Sequence, residues 1–501
     1  MAGLCRLMEK EGLAGAEVCV GYDRRFLSKE SAHWAAEVLA GCGFHPFVIN
    51  RSSPTPLMMF TVKKRGEPYG IAVTASHNPA IYNGIKVFTA GGRDADRTVT
   101  AKIEAEIEKL TEADVRSVDY DKALADGTIG EHNPSNEYID SILAAIDVEA
   151  IKKAQLRIAL DPMYGVSQTC LSMILMTCRC DLEIIHDRHD TLFGGKLPAP
   201  NEETMGPLSA VVLDRYRCDL GIATDGDADR LGVIDDEGRF VHPNKLLVLL
   251  YYYLVKYRGW SGPCVRNNST THLLDRVAEG LGQKCYEVPV GFKWVSAKMT
   301  ETDAIIGGES SGGLAVKGHI SGKDGIYAAS LLVEMLAVTG KKLSELYREI
   351  CELYGDISLP EAIHAYFERL YTVSPSEVKD KLDEKDILPL INQREEGHRG
   401  LWYREIDERF RYIAKDQKQI LIPNSENGDV CAAVRCGRLN RGLLRRAGRD
   451  SVSVYENEYK KLREAGVLSQ EYGGISVLED PSWYDPDCGL TFRDTGDALF
   501  R

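Results

Sequence analysis

The chain has 501 residues, enough for two to four domains with sizeable cores. A hydrophobic share of 44% and a charged share of 27% are those of a soluble globular protein. The net charge of −14 argues against nucleic acid as a partner, because phosphate backbones need a basic face.

The first segment alternates. Ala16–Val20 reads as a strand, Gly21–Arg25 as a turn, Ser31–Ala40 as a helix and Phe47–Ile49 as a strand. That order predicts βα units and a parallel or mixed sheet. A strand-like run, Tyr69–Val73, then delivers Thr74-Ala75-Ser76-His77-Asn78-Pro79. Ser76 is either an ordinary turn residue or a covalent nucleophile. The second role needs an exposed hydroxyl, a proton acceptor and charge neutralisation. His77 is adjacent, and Lys86 follows in Asn83–Val87. Lys86 could stabilise phosphoryl charge, or act in proton transfer if its pKa is lowered. Asp96–Leu110, rich in Glu and Lys, reads as a helix with a solvated face.

A second cycle starts near Glu131. Leu156–Leu160 and Asp181–Ile185 read as strands, with a turn at Asp161–Gly165. Asp219–Thr224 is a short buried strand running into Asp225-Gly226-Asp227-Ala228-Asp229-Arg230. Alternation in a tight loop can turn three carboxylates toward one point, an all-oxygen site suited to a hard cation such as Mg²⁺. An EF-hand is excluded by spacing: position 6 would be Arg230 in place of Gly, and position 12 Asp236 in place of Glu. Gly232–Ile234 continues as strand.

The third cycle begins near Pro243. Leu246–Val255 is the longest apolar run, about half a bilayer span, and reads as a core helix. Ser269–Glu279 and Ile326–Val338 read as helices, and Ala304–Ile306 as a strand before the loop Gly307–Gly313. Glycines there let backbone approach a ligand, and Glu309 and Ser311 can hydrogen-bond sugar hydroxyls. All three loops lie at the carboxyl end of a predicted strand, where open α/β sheets bind ligands. After about residue 360 the character changes. Ser374–Lys385 resembles a connecting helix, and 391–474 reads as an insertion whose arginines, Arg435 to Arg449, form a solvated surface. Thirteen cysteines without a CxxC pair read as reduced thiols, and Met1–Arg6 opens no signal-peptide pattern, so a cytoplasmic location is expected.

These motifs resemble those of the α-D-phosphohexomutases, the phosphoglucomutase/phosphomannomutase group. Thr74–Pro79 is similar to the family's phosphoserine loop, Asp225–Arg230 to its magnesium loop and Gly308–Gly312 to its sugar-specificity loop. Pro289–Lys293 and Lys323–Gly325 resemble two further active-site segments, and the similarity runs over roughly residues 13–360. The resemblance implies three similar α/β domains with mixed sheets around a cleft: a phosphoserine domain at 1–130, a magnesium domain at 131–242 and a sugar-binding domain at 243–360. Residues 361–501 would hold a linker, an insertion and an incomplete α+β domain. It also implies that phospho-Ser76, Asp225, Asp227 and Asp229 ligate Mg²⁺. His77 belongs with Ser76 in the catalytic loop, and Lys86 is the implied proton shuttle. Arg230, Gly291, Lys293 and Lys323 would position substrate, and Glu309 and Ser311 would hold the sugar. The implied reaction interconverts hexose 1-phosphate and hexose 6-phosphate, with a hexose 1,6-bisphosphate as intermediate and activator. The implied partner is a phosphorylated hexose, with no nucleic acid and no membrane, for a monomer or a dimer.

Two departures from the family pattern stand out. The chain opens inside the first family helix, seen at Leu7–Gly12, and no Arg-x-Ser-Gly-Thr phosphate loop follows Gly489–Arg501, which looks like the strand pair before it. They keep two alternatives open: a phosphosugar-binding remnant with impaired catalysis, and a metal-dependent phosphatase.

Overall fold

A computed structural model describes residues 1–214, 217–267 and 270–355, together with two short strands near the C-terminus. The chain divides into two units, Met1–Gly355 and Asp356–Arg501. In the second, Tyr484–Asp485 and Leu490–Thr491 pair antiparallel. The expected helix Ser374–Lys385, the arginine-rich stretch and the rest of the terminal segment lie outside the described residues.

The first unit is built on three sheets. Sheet one contains β1 (Glu17–Tyr22), β2 (His45–Ile49), β3 (Tyr69–Val73), β4 (Ile85–Thr89), β5 (Arg93–Asp94) and β6 (Gly130–His132), in the order β5-β4-β3-β1-β2-β6. Sheet two contains β7 (Arg157–Asp161), β8 (Asp181–Ile184), β9 (Leu220–Thr224), β10 (Leu231–Ile234) and β11 (Phe240–Val241), in the order β11-β10-β9-β7-β8. Sheet three contains β12 (Cys264–Asn267), β13 (Cys285–Val288), β14 (Ile306–Gly308) and β15 (Leu314–Val316), in the order β13-β12-β14-β15.

One topology recurs in all three. A central strand (β1, β7, β12) is flanked by two parallel neighbours, and the inner one of these (β3, β9, β14) turns back into an antiparallel strand. The fold class expected from the alternation of elements is therefore the one present. β3 and β9 are buried at every residue, as parallel strands covered on both faces must be. The three motif loops occupy equivalent places, each joining the inner parallel strand to its antiparallel partner.

Several expected boundaries shift. β1 runs on through Gly21 and Tyr22, which the sequence suggested were a turn, because they pair with Ala72 and Val73. The expected boundary at 130/131 falls inside β6, which pairs with β2 of the first sheet. The helix expected from Ser269 starts at Leu273. The strand expected at Ala304–Ile306 is Ile306–Gly308. Gly307 and Gly308 belong to it because helices press close. A Cβ on Gly307 would sit 2.6 Å from Val295 and Met299, and one on Gly308 would sit 3.0 Å from Leu247.

Candidate active site

The three loops converge inside the first unit. Ser76 lies in the loop between β3 and β4, and its φ of 52° is the left-handed region that costs a non-glycine residue strain. Two groups hold it there. Thr74 Oγ1 accepts from Ser76 N at 2.9 Å, and Arg25 Nη2 donates to the Ser76 carbonyl at 2.7 Å. Arg25 also donates to the carbonyls of Asn78 (2.7 Å), Pro79 (2.8 Å) and Tyr82 (3.0 Å), so one guanidinium clamps the whole loop. Asp23 orients that clamp. It pairs with Arg25 Nε at 3.3 Å and accepts from Ser28 Oγ and Thr74 Oγ1.

The acidic loop between β9 and β10 meets Ser76 from the second sheet. Ser76 Oγ donates to Asp225 Oδ2 at 2.9 Å across 149 residues of sequence. Asp225, Asp227 and Asp229 are all buried, with one carboxylate oxygen from each within 4.8 Å of the others. Lys86 Nζ donates to Asp227 Oδ2 at 2.7 Å and Asp229 Oδ2 at 3.0 Å, and Lys323 Nζ pairs with Asp229 Oδ2 at 2.8 Å. Arg230 Nε lies 3.9 Å from Asp225 and 3.8 Å from Asp229. Asp227 Oδ1 and Asp229 Oδ1 are buried without a hydrogen-bond partner. Orphaned carboxylate oxygens are rare in a protein interior. A hard divalent cation would satisfy both, so this donor set fits such an ion.

Charge in the cluster divides. Burial, reinforced by Asp227 and Asp229, pushes the Asp225 carboxyl well above the usual range. Burial opposes charge at Asp229 too, but Lys323, Lys86 and Arg230 together hold it below that range. Burial would also depress the Lys86 ammonium, yet Asp227 and Asp229 keep it well above the ordinary lysine value. With the three carboxylates carrying no cation, Asp227 and Asp229 outweigh desolvation at Lys86. His77 differs. Burial and then the Arg230 charge lower it to about 4, so it is neutral at pH 7, with Nδ1 3.4 Å from Ser76 Oγ.

The third loop docks on the second. Leu231 N donates to Gly312 O at 3.1 Å, and Arg230 bridges to Gly313. Glu309 Oε1 accepts from Asn267 Nδ2 at 3.1 Å and from Gly291 N at 3.0 Å, so Gly291 joins this loop. Ser311 is exposed. Lys293 lies over the Trp294 ring at 5.3 Å, and among the described residues it makes no hydrogen bond or ion pair to the acidic cluster. Sequence reading passed over Asp23, Arg25, Thr55 and Asn267. The run Gly21–Arg25 gave a turn but no clamp, because side-chain bonds to distant carbonyls leave no local pattern.

Comparison with known proteins places the chain. Phosphoglucomutase/phosphomannomutase alpha/beta/alpha domains I, II and III match residues 1–114, 136–238 and 242–354. The phosphoglucomutase/phosphomannomutase of Thermococcus kodakarensis is 31% identical over 352 residues, covering 70% of this chain and 74% of that protein. The chain belongs to the phosphoglucomutase/phosphomannomutase family. The phosphoglucosamine/phosphogalactosamine mutase of Sulfurisphaera tokodaii is 30% identical over 303 residues, 60% of this chain and 66% of its own. A crystal structure from Thermus thermophilus, described as a phosphomannomutase, superposes with a TM-score of 0.65 at 31% identity, covering 71% of this chain and 78% of that one. As a phosphohexomutase the protein falls in the isomerase class. The three family domains coincide with the three sheets, apart from β6 and β11, which fall between the matched ranges. Among the described residues no helix is long and apolar enough to cross a membrane.

Proposed function

We propose that the protein moves a phosphoryl group between the 1- and 6-positions of a hexose phosphate through phospho-Ser76. The observation that carries this reading is the 2.9 Å bond from Ser76 Oγ to Asp225, inside a buried triad with two orphaned carboxylate oxygens. Asp225, Asp227, Asp229 and an oxygen of phosphorylated Ser76 would hold Mg²⁺, which when bound neutralises charge on the transferring group. A hydroxyl oxygen of the sugar bonds to the phosphorus of phospho-Ser76 as the P–Oγ bond breaks. The hydroxyl proton ends on Ser76 Oγ, with His77, whose Nδ1 lies 3.4 Å from that oxygen, the adjacent group able to relay it. The resulting hexose 1,6-bisphosphate turns over and returns its other phosphate to Ser76. The same bisphosphate, added from solution, would recharge a dephosphorylated enzyme.

Lys86, paired with Asp227 and Asp229, would stabilise charge on the transferring phosphoryl group, beside the proton-shuttle role expected for it. Arg230, Gly291, Lys293 and Lys323 would position the substrate, while Glu309 and Ser311 take the sugar hydroxyls. Asn267 and Gly291 N–H occupy Glu309 Oε1, leaving Oε2 for the sugar. Asn267→Ala should therefore raise KM for the hexose phosphate about tenfold with a smaller change in kcat, a split that steady-state kinetics reads directly.

Two measurements on the full chain test the reading: intact-mass analysis for a phosphate on Ser76, and isomerisation of glucose 1-phosphate and mannose 1-phosphate with and without the matching 1,6-bisphosphate. An unphosphorylated serine together with no isomerisation of either sugar would reject it. Phosphate release outrunning isomerisation would point instead to a phosphatase.

A further inference from the structure

The helix Thr55–Arg65 brings a residue of the first domain into the acidic loop of the second. Thr55 is buried, with 1% of its surface exposed. Its backbone N–H donates to the Asp227 carbonyl at 2.9 Å, and its Oγ1 donates to Asp227 Oδ2 at 2.8 Å. Lys86 Nζ donates to that same Oδ2 at 2.7 Å. One oxygen of Asp227 thus receives two donors, while the other, Oδ1, is buried with none. The two donors fix the carboxylate's rotation and distinguish its two oxygens. Left alone, a carboxylate at a cation site turns freely between them, and the group that stops this is commonly a hydrogen-bond donor behind the ligand.

We propose that Thr55 is a positioning residue of the metal site, locking Asp227 so that Oδ1 is the atom left for the cation. This rests on the magnesium-site reading above. Thr55 differs from the other group on Oδ2 in a useful way. Lys86 carries a charge that also serves the phosphoryl group, so its removal changes several things together. The Thr55 hydroxyl is neutral, touches none of the proposed substrate contacts, and acts through orientation alone. Its position also makes the metal site a joint product of two domains: the ligand comes from sheet two and its orientation from the first helix turn beyond β2. A cation bound at Asp227 would therefore favour the arrangement in which the first two domains stay docked.

The test is calorimetric titration of the full chain with Mg²⁺ alone, with no substrate and no turnover. Thr55→Val replaces the hydroxyl by a methyl of similar volume, and Thr55→Ser keeps the hydroxyl and drops the methyl. Thr55→Val should bind Mg²⁺ about 10–100-fold more weakly, the usual cost of losing a donor behind a metal ligand. Thr55→Ser should stay within about threefold of wild type, since the donor remains. Should Thr55→Val not fold, Thr55→Ala is read in its place against the same serine control. Equal affinity in wild type and all variants would overturn the inference while leaving the metal site standing. Loss in Thr55→Ser with retention in Thr55→Val would overturn it too, by assigning the effect to packing. Wild-type protein that takes up no Mg²⁺ at all would remove the magnesium-site reading itself, and the Thr55 role with it.

Discussion

Ser76→Ala should abolish isomerisation of hexose phosphates while leaving the fold intact. The size of the loss follows from the chemistry. Every turnover in the proposed cycle makes and breaks a bond at Ser76 Oγ, the hydroxyl bonded to Asp225. The Thr55 hydroxyl also bonds the triad, but it is more deeply buried and tied to Asp227 Oδ2, so it offers no ready substitute. Removal of a covalent nucleophile costs up to about 10⁶ in kcat in enzymes where the whole set has been dissected, or about 8 kcal/mol of barrier. KM should change little, because the groups proposed to hold the sugar and its phosphate are untouched. The variant's intact mass should lack the phosphate expected on wild type. Added 1,6-bisphosphate should not restore turnover, since the acceptor oxygen is gone. Residual activity within about tenfold of wild type would show that Ser76 is a turn residue after all, and that its hydrogen bond to Asp225 is purely structural.

How much of this was legible in the sequence depends on the range of the interaction. β3 and β9 were readable because short runs of apolar and small residues, Tyr69–Val73 and Leu220–Ala223, mark strands covered on both faces. β12 and β13 escaped notice: Cys264-Val265-Arg266-Asn267 has only two apolar residues in a row, and its burial is imposed by neighbours. The helix Thr55–Arg65 was passed over for a related reason. Thr55, Pro56, Leu57, Met58 and Met59 are all buried, so its opening turns show no polar face to set a period. The acidic triad could be recognised because its three carboxylates are local in sequence. The shared place of the three loops at strand carboxyl ends was legible as well; the antiparallel strand that each loop leads into was not, since it lies in sheet topology. Lys293 and Lys323 show the limit on single residues. Both sat in family-like segments, yet only Lys323 reaches the triad, because Gly313 leaves room for its stem, which a Cβ there would meet at 2.3 Å. The environment of Lys86 was equally out of reach, as nothing local says that two carboxylates more than 140 residues away will hold its charge.

The second large effect is expected at Arg25, which no motif singled out. Arg25→Met should destabilise the protein by about 3–5 kcal/mol, the cost of removing one member of a buried ion pair. The Arg25 and Asp23 side chains are both fully buried, and four carbonyls of the Ser76 loop depend on the same guanidinium. Arg25→Lys should recover only part of the loss: an ammonium has three donors and lacks the planar fork that reaches four acceptors and a carboxylate together. Activity should fall further than stability requires, because the clamp also holds Ser76 in its strained left-handed conformation. The defect carries a pH signature. Burial already raises Asp23 above its ordinary value of 3.8, against hydrogen bonds from Thr74, Arg25 N–H and Ser28 and the Arg25 charge, which lower it. Removing that charge raises it further. A carboxyl whose folded pKa exceeds its unfolded one loses stability as pH rises through the folded value, and regains it on acidification toward 3.8. The gap in unfolding free energy between wild type and Arg25→Met should therefore narrow as pH is lowered from neutrality, read by denaturant titration at a series of pH values. A gap that stays constant, or widens on acidification, would mean that Asp23 is not the charge left behind. The clamp would then act through its carbonyl bonds alone.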